Sequence, residues 1–479
     1  MHAVPPVPDD GLVRAGPPAG FYGPWPGSIQ RIHLVGIGGS GMSALATLLL
    51  QMGKQVSGSD TGTGATLDAL RAAGARVASE HRAENVTGAE YVIRSAAIPD
   101  DNPEILAARV AGIPAVKLAG AVGALTAGRP TLAVAGTHGK TTTTALVAWI
   151  LDRSGLDPLA LIGAESVNLN ASALAGDGPV VVEADEYDRR FLSLHPSAAL
   201  VTSVEADHLD YFRDLAEIES VFQQFVDRLP GDGPLVVCAD DPGAARLTTR
   251  ARRETYGFAP GADWRVEAFT PVPGGTRFDV AVAGRAFTVE TSLVGRHNAR
   301  NVAGALAATE HFGVGLRQAL AAVASFQGTR RRFETKGRPR GIWVVDDYAH
   351  HPTAIAAVLA AARDATEGAL WAVFQPHTSN RTAALFEDFS RCFGSADHAI
   401  LLPIYRPSGR ETDARPVTSE DLAAAASALG HPDVRVASTF DEARDMVAAG
   451  ARPGDLVLVM GAGDVTRLAA DLVPALESA

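Results

Sequence analysis

Twice along this chain a short apolar run ends in a glycine-bearing loop and passes straight into a helix-forming stretch. Residues 31–41 read RIHLVGIGGSG, and residues 131–144 read TLAVAGTHGKTTTT. A buried strand, a tight turn and a helix whose amino terminus faces that turn make up the half-unit of a parallel α/β sheet. The unpaired amides of the helix's first turn also form a seat for phosphate. All-helical and all-β folds have no place for this order of elements, and the loops direct attention to nucleotides.

The alternation continues. Apolar runs recur at residues 55–60 (QVSGSD), 91–95 and 115–118, at 180–182 and 199–204, and again at 342–345 (IWVV), 370–374, 398–402 and 456–460. Residues 255–294 are more irregular and strand-rich, and a helix is predicted over about 298–312. A chain of 479 residues is too long for one ordinary core. The expected organisation is an arm rich in Pro and Gly at 1–27, then three α/β units at 28–125, 126–325 and 326–479. Linkers near 120–130 and 320–330 would let the outer units close on the central one.

Composition narrows the partners. A formal charge of −12 argues against nucleic acid, whose backbone attracts clustered Lys and Arg. An anionic small substrate then needs local cations or helix amino termini. The two cysteines, Cys238 and Cys392, lie far apart, which speaks against a disulfide framework or a cysteine zinc site. No run approaches the ~18 apolar residues of a membrane helix. The arm has neither the basic start nor the apolar core of a secretory signal. A cytoplasmic protein without membrane insertion is the expectation.

In the first loop Gly36, Gly38 and Gly41 fit G-x-G-x-x-G, with Gly39 and Ser40 between them. Such a loop turns tightly and lets the backbone approach a diphosphate, and Asp60, at the end of the next strand, is placed to accept from a ribose hydroxyl. This pattern alone leaves NAD and any other diphosphate open. The second loop is more specific. Gly136, Thr137, His138, Gly139, Lys140, Thr141 and Thr142 follow an apolar strand and open a helix. Gly139-Lys140-Thr141 is the end of a phosphate-binding loop: amides cradle phosphate oxygens, Lys140 neutralises the β- and γ-phosphates, and Thr141 offers a hydroxyl to Mg²⁺. The usual first glycine is replaced by Val134. ATP is the expected ligand.

The spelling GTHGKTTT resembles the ATP loop of the Mur ligase family, and further segments follow in that family's order: VVEADEYD at 181–188, EADHLD at 205–210, GRHNARN at 295–301, FQGTRRRFE at 326–334, DDYAHHP at 346–352, FQPHTSNRT at 374–382 and GAGDV at 461–465. The resemblance spans roughly residues 30–470. It implies an α/β fold of three domains: an N-terminal Rossmann-like UDP-binding domain, a central P-loop ATPase domain and a C-terminal Rossmann-like domain. RIHLVGIGGSGMSALATLL looks like the alanine-adding branch, whose substrates are UDP-N-acetylmuramate, ATP and L-alanine. The first loop then receives the UDP diphosphate and no NAD is expected. The protein would act as a monomer or weak homodimer.

By the same resemblance Lys140, Glu183, His208, Arg332 and His350 are the catalytic set. Thr141, Glu183 and His208 hold Mg²⁺, as two ions with ATP. Asn301 reads adenine, and Arg332 reaches the phosphates from the C-terminal side. His350, His377 and Arg381 receive the amino acid, Arg381 by a bidentate grip on its carboxylate. Histidine is an unusual partner for a cation that prefers oxygen, so His208 rests on the resemblance. Asp185, Glu186 and Asp188 read as a solvated acidic turn, and Arg330 and Arg331 as structural neighbours of Arg332. Asn298 is as well suited to a helix cap as to a ligand, and His351, before Pro352, to a turn. Two departures stand out: Thr378 where some members have a second arginine, and a longer segment at 405–413. Several sister ligases carry a carbamylated lysine after the histidine motif, and the absence of any lysine between His208 and Lys336 fits the alanine-adding branch. A branch that attaches a preformed tripeptide to the same nucleotide sugar shares GTHGKTTT and EADEYD. An NAD-dependent oxidoreductase and a noncatalytic P-loop regulator are the readings from other classes.

Overall fold

The apolar runs fold into strands that pair in three separate sheets, seen in a computed structural model that describes residues 28–209, 211–406 and 416–478. In the first sheet five parallel strands lie in the order Arg76–Ala78, Gln55–Ser59, Arg31–Val35, Tyr91–Arg94, Ala115–Lys117. The order reverses direction at Arg31–Val35, and a crevice opens at the carboxyl end of such a switch-point strand. The first glycine loop lies there, ahead of helix Ser40–Gln51.

The central sheet has ten strands. Its middle is parallel and includes Leu159–Ser166, Val180–Glu183, Thr131–Ala135, Ala198–Val201 and Leu235–Cys238. The irregular stretch expected at 255–294 is an antiparallel extension of this sheet, Trp264–Val272 with Gly275–Val282 and Arg285–Thr291. The third sheet orders Glu334–Gly337, Trp343–Asp347, Leu456–Met460, Leu370–Phe374, His398–Leu401 and Val434–Val436, parallel except for its first strand. Thr131–Ala135, Trp343–Asp347, Leu370–Phe374 and Leu456–Met460 are buried along their whole length. Helices cover both faces of a parallel sheet, so its central strands are continuous apolar runs rather than alternating ones. Among the described residues no helix is long and apolar enough to cross a membrane.

Helix Leu118–Thr126 carries the chain from the first sheet to the second. It packs so tightly that a Cβ at Gly123 would stand 2.3 Å from the carbonyl oxygen of Ser193. Gln51, at the end of helix Ser40–Gln51, donates to the carbonyl of Ala173 (3.3 Å) and accepts from the amide of Ala175 (3.0 Å), tying the first unit to the second. The second crossing differs from expectation. Phe326 is buried in the central core, Gly328 accepts from the amide of Val167 at 3.0 Å, and the amide of Arg330 donates to Glu165 at 2.9 Å. The expected start of the third unit at 326 therefore falls a few residues early, because backbone hydrogen bonds hold the chain on the central sheet as far as Arg330. The arm at 1–27, Asp210 of EADHLD and most of the longer segment (407–413) lie outside the described residues.

Replacing Gly123 by alanine should force helix and carbonyl apart at a cost of about 1–3 kcal/mol. A calorimetric unfolding midpoint equal to that of the parent would show that the interdomain packing at Gly123 is not tight.

Candidate active site

Strand Thr131–Ala135 ends where the chain must turn at once toward the helix Lys140–Arg153. Val134, at the place of a usual loop glycine, is fully buried inside the strand, so the turn falls to Gly136 (φ 135°). A Cβ there would meet the Thr202 hydroxyl at 2.0 Å, and no side chain fits. The loop is then held from both flanks. Thr137 donates its amide to the carbonyl of Ser203 (2.9 Å), His138 donates its amide to Ser203 Oγ (3.0 Å), and the Thr137 hydroxyl accepts from the amide of Glu205 (2.9 Å). Gly139 is left-handed (φ 82°), and a Cβ on it would press on Asn301 Oδ1 at 2.8 Å. Among the described residues no side chain caps the helix Lys140–Arg153, so its first-turn amides remain available to an anion.

Lys140 folds back over the loop. Its Nζ donates to the carbonyls of Gly136 and Thr137 and sits 2.9 Å from Glu186 Oε2. Glu186 is buried, not part of a solvated turn as the acidic run suggested, because the short helix Tyr187–Ser193 turns it inward onto the lysine. Burial pushes its carboxyl up to about 7, against the downward pull of Lys140. For Lys140 burial works in the opposite sense, but Glu186 and then Asp185 outweigh it and the ammonium is held charged.

At the next residue of the helix, Thr141 Oγ1 donates to Glu183 Oε1 at 3.1 Å, and the other oxygen of Glu183 accepts from the amide of Gly163 at 2.8 Å. Arg332 reaches across from the third unit and places Nη2 3.4 Å from Thr141 Oγ1. Its neighbours turn elsewhere: Arg330 pairs with Glu334 (2.8 Å), and Arg331 donates to the carbonyl of Gly461 (2.6 Å). Of the three arginines in the run, Arg332 is the one joined to the phosphate loop.

Asp207 and Arg381 form a second bridge between central and C-terminal units, at 3.0 Å and nearly buried. Burial alone would raise the Asp207 carboxyl, but Arg381 holds it far below the ordinary carboxylate range. Thr378 does not extend the charge of this pocket. Its hydroxyl accepts from the amide of Arg381 (3.4 Å) and caps the short helix Ser379–Ala384 that carries the arginine. His350 Nδ1 lies 2.9 Å from the carbonyl of Tyr348. That acceptor makes Nδ1 the protonated nitrogen and leaves the lone pair on Nε2. Burial, then Arg381, holds His350 well below its ordinary value. His377 stacks on Tyr405 at 5.5 Å and faces the ring of His350 at 6.1 Å. His208 has a left-handed backbone (φ 53°), and its ring lies 4.8 Å from that of Tyr187. Burial lowers its pKa despite the nearby Asp207.

A cavity of about 740 Å³ joins these groups. Thr137 to Thr142, Glu183, His208, Asn301, Arg332 and His350 line it, and Ser40 and Gly41 enter it from the first unit. Gly36, Gly38, Gly39 and Asp60 lie behind that edge. Asp60 accepts from the amides of Gly38 and Gly62, both at 2.8 Å, so in this state it orders the glycine loop itself. Gly136 sits under the phosphate loop; His377 and Arg381 connect to the cavity through His350 and Asp207. Asn298, suggested equally as cap or ligand, donates to the carbonyl of Val294 and accepts from Asn301 Nδ2 at 3.2 Å. Sequence reasoning took Glu186 for a solvated residue and assigned no role to Asp207, Glu205 or His297, which also line the cavity. Each lies within or beside a motif that was read, but adjacent acids and histidines look alike until the fold selects which face inward.

Against known proteins, residues 31–130 match the family described as "Mur ligase family, catalytic domain", residues 134–309 the Mur ligase middle domain, and residues 331–463 the Mur ligase glutamate ligase domain. The chain is 43% identical over 462 residues to the UDP-N-acetylmuramate–L-alanine ligase of Saccharopolyspora erythraea, with 94% of each chain covered. Among solved structures it resembles the UDP-N-acetylmuramate–alanine ligase of Thermotoga maritima (TM-score 0.79, 26% identity, 94% of this chain and 99% of that one). It also resembles a murein peptide ligase of Psychrobacter arcticus (TM-score 0.69, 26% identity, 94% and 99%).

The Asp207–Arg381 bridge has a definite pH signature. A carboxyl held below its unfolded value contributes stability that is present above the unfolded pKa of about 3.9 and is lost as pH falls toward the folded one. Asp207→Asn should therefore destabilise the protein at neutral pH by about 1.5–3 kcal/mol. The gap from the parent should narrow in denaturant titrations below about pH 4. A gap constant from pH 7 to pH 3 would exclude an ionic role for Asp207.

Proposed function

The chain belongs to the Mur ligase family, and from that premise we infer that it is an ATP-dependent ligase joining L-alanine to the carboxylate of UDP-N-acetylmuramate in peptidoglycan precursor synthesis. The observation that carries this reading is the extent of its similarity to alanine-adding ligases, which runs through all three sheets. The cavity where those sheets meet has the chemistry the reaction needs.

A carboxylate at neutral pH is a poor electrophile. Its oxygen attacks the γ-phosphorus of ATP, the bond to the β-phosphate oxygen breaks, and ADP leaves an acyl phosphate. The amine of L-alanine then attacks the acyl carbon, the carbon–oxygen bond breaks with its electron pair going to phosphate, and the nitrogen gives up a proton. Two anions must approach in the first step, so positioning and cationic screening supply most of the acceleration. The amides of the Lys140–Arg153 helix and of the Gly136–Gly139 loop seat the phosphates. Lys140 exchanges its Glu186 partner for phosphate oxygen, and Arg332 supplies charge from the opposite side. Asn301, packed on Gly139, takes the adenine.

Thr141 Oγ1 and the Glu183 carboxylate, 3.1 Å apart, are hard oxygen donors of the kind Mg²⁺ takes, and His208 lines the same cavity. These three would hold the metal, which when bound would add positive charge between the reacting anions; the family resemblance supports a reading with two ions. Arg381 receives the alanine carboxylate with His377 beside it, and Asp207 keeps the guanidinium in place until it arrives. His350, neutral with its Nε2 lone pair free, accepts the amine's proton. Ser40, Gly41 and the glycine loop behind them hold the UDP diphosphate. Use of ATP and a nucleotide sugar supports a cytoplasmic location.

The likeness to a murein peptide ligase keeps tripeptide addition as the second reading. Phosphate release from MgATP with UDP-N-acetylmuramate, run in parallel with L-alanine and with L-Ala-γ-D-Glu-diaminopimelate, separates the two. Release with L-alanine and a product heavier by one alanyl residue is expected; turnover with the tripeptide alone would move the chain to the other branch. Lys140→Ala should lower kcat/KM by about 10²–10³. The acid limb of kcat/KM should lie below the ordinary histidine value of about 6.5, because the base stays neutral through that range. In His350→Gln kcat should fall about 10²–10⁴ and that limb should vanish. An unchanged profile in His350→Gln would assign the base elsewhere.

A further inference from the structure

Beside the phosphate loop lies a group of side chains that the reaction above does not use together. One ligand atom from each of His138, Glu205 and His351 lies within 4.8 Å of the other two. His138 belongs to the phosphate loop, Glu205 to the turn after strand Ala198–Val201, and His351 caps helix Pro352–Ala365 of the third unit. The trio therefore spans the boundary between the central and C-terminal units.

Local hydrogen bonding leaves these groups ready for a further partner. Among the described residues the buried His138 Nε2 has no hydrogen-bond partner, and it lies 3.6 Å from Glu205 Oε2. Glu205 accepts from the Thr353 hydroxyl at 2.8 Å, which orients the carboxylate from the side of the third unit. His351 is held by two long contacts, 3.3 Å to the carbonyl of Ala206 and 3.4 Å from the amide of Thr353. The two imidazole rings stand 5.0 Å apart, tilted by 44°. Burial, and then His138, holds His351 below its ordinary value, so the ring is neutral, and its Nδ1 lone pair is engaged only by the long 3.4 Å bond from the Thr353 amide, which a bound metal would displace.

Two imidazoles and a carboxylate suit a borderline transition metal that keeps an open fourth position. They do not suit Mg²⁺, which takes oxygen donors. We propose that His138, Glu205 and His351 form a site for a divalent ion of the Zn²⁺ class that ties the phosphate loop to the C-terminal unit. Metal–nitrogen bonds of about 2.0–2.1 Å bring ligand atoms to about 3.3 Å from one another. Binding thus contracts the triangle and draws His351 toward the loop. The ion holds the two units in the closed arrangement, against the opening that release of nucleotide requires. The site itself does not depend on the ligase reading; only its effect on turnover does.

The test is titration of the nucleotide-free full chain with Zn²⁺ in millimolar Mg²⁺, followed by calorimetry and by competition with a chromophoric chelator. Saturable uptake of one Zn²⁺ per chain is expected. His351→Gln and Glu205→Gln should each weaken it by about tenfold or more, while His208→Gln should change it by less than about twofold. Circular dichroism confirms that each variant is folded. Scattering should show a smaller radius of gyration with Zn²⁺ than without. Absence of saturable uptake, displacement by Mg²⁺, or loss in His208→Gln with retention in His351→Gln would overturn the proposal. Crystals of the unaltered protein soaked in Zn²⁺ give a second measurement independent of the variants: an anomalous peak inside the triangle supports the site, and the strongest peak elsewhere overturns it.

Discussion

A partly buried ammonium group governs the arrangement of this molecule. Lys140 lies at the start of a helix, over a turn made by Gly136 and Gly139, and it is surrounded by Glu186, Asp185 and Glu183. A charge taken out of water must be paired or it costs several kcal/mol. The acidic strand end at Glu183 and the inward turn of Glu186 therefore follow from the need to keep Lys140 charged beside a phosphate seat. The same charge that binds an anion is stored against carboxylates while no anion is present. Burial raises Glu186 to about 7, which makes it a weak competitor for the lysine once phosphate arrives.

The outer units are arranged around this centre. Each of the three sheets turns a loop-bearing edge toward the one cavity, so groups from distant parts of the chain converge without a long connection between them. Arg332 contacts Thr141, Arg381 contacts Asp207, and Thr353 contacts Glu205, all across the boundary between the second and third units. These polar contacts lie at the rim of a space, beside a close packing of the two units in which a Cβ on Gly295 would stand 2.5 Å from that of Ala361. The boundary between first and second units is different. Gly123 backs directly on the Ser193 carbonyl, and residues of both units share one hydrophobic core. The third unit's apolar residues form clusters of their own.

Much of this was legible beforehand, and the exceptions have physical causes. The strands, the parallel sheets and the two glycine loops were readable because burial on both faces leaves uninterrupted apolar runs, and because glycine is required where φ is positive. Arg332 stood out only by family likeness, since three consecutive arginines are equivalent until the backbone aims them: Arg331 at the carbonyl of Gly461, Arg330 at Glu334, Arg332 at the loop. Glu186 was misread because an acid in a run of acids is usually solvated, and its burial depends on the chain reversing through the helix Tyr187–Ser193. Thr378 looked like a lost charge; it is a helix cap, a role settled by the amide that lies opposite it.

What the amino-acid order determined alone is local: which segments become strands, where the chain must turn on glycine, where a helix amino terminus meets a phosphate loop, and through shared motifs the family and its chemistry. These depend on neighbours within a few positions, so periodicity and residue type carry them. Tertiary structure decided which identical side chains face inward, where the chain leaves one unit for the next, and which residues of separate units become partners. His138, Glu205 and His351 meet only because two units close on a common space. Pairings of that kind depend on distances across the fold, and no spacing along the chain encodes them.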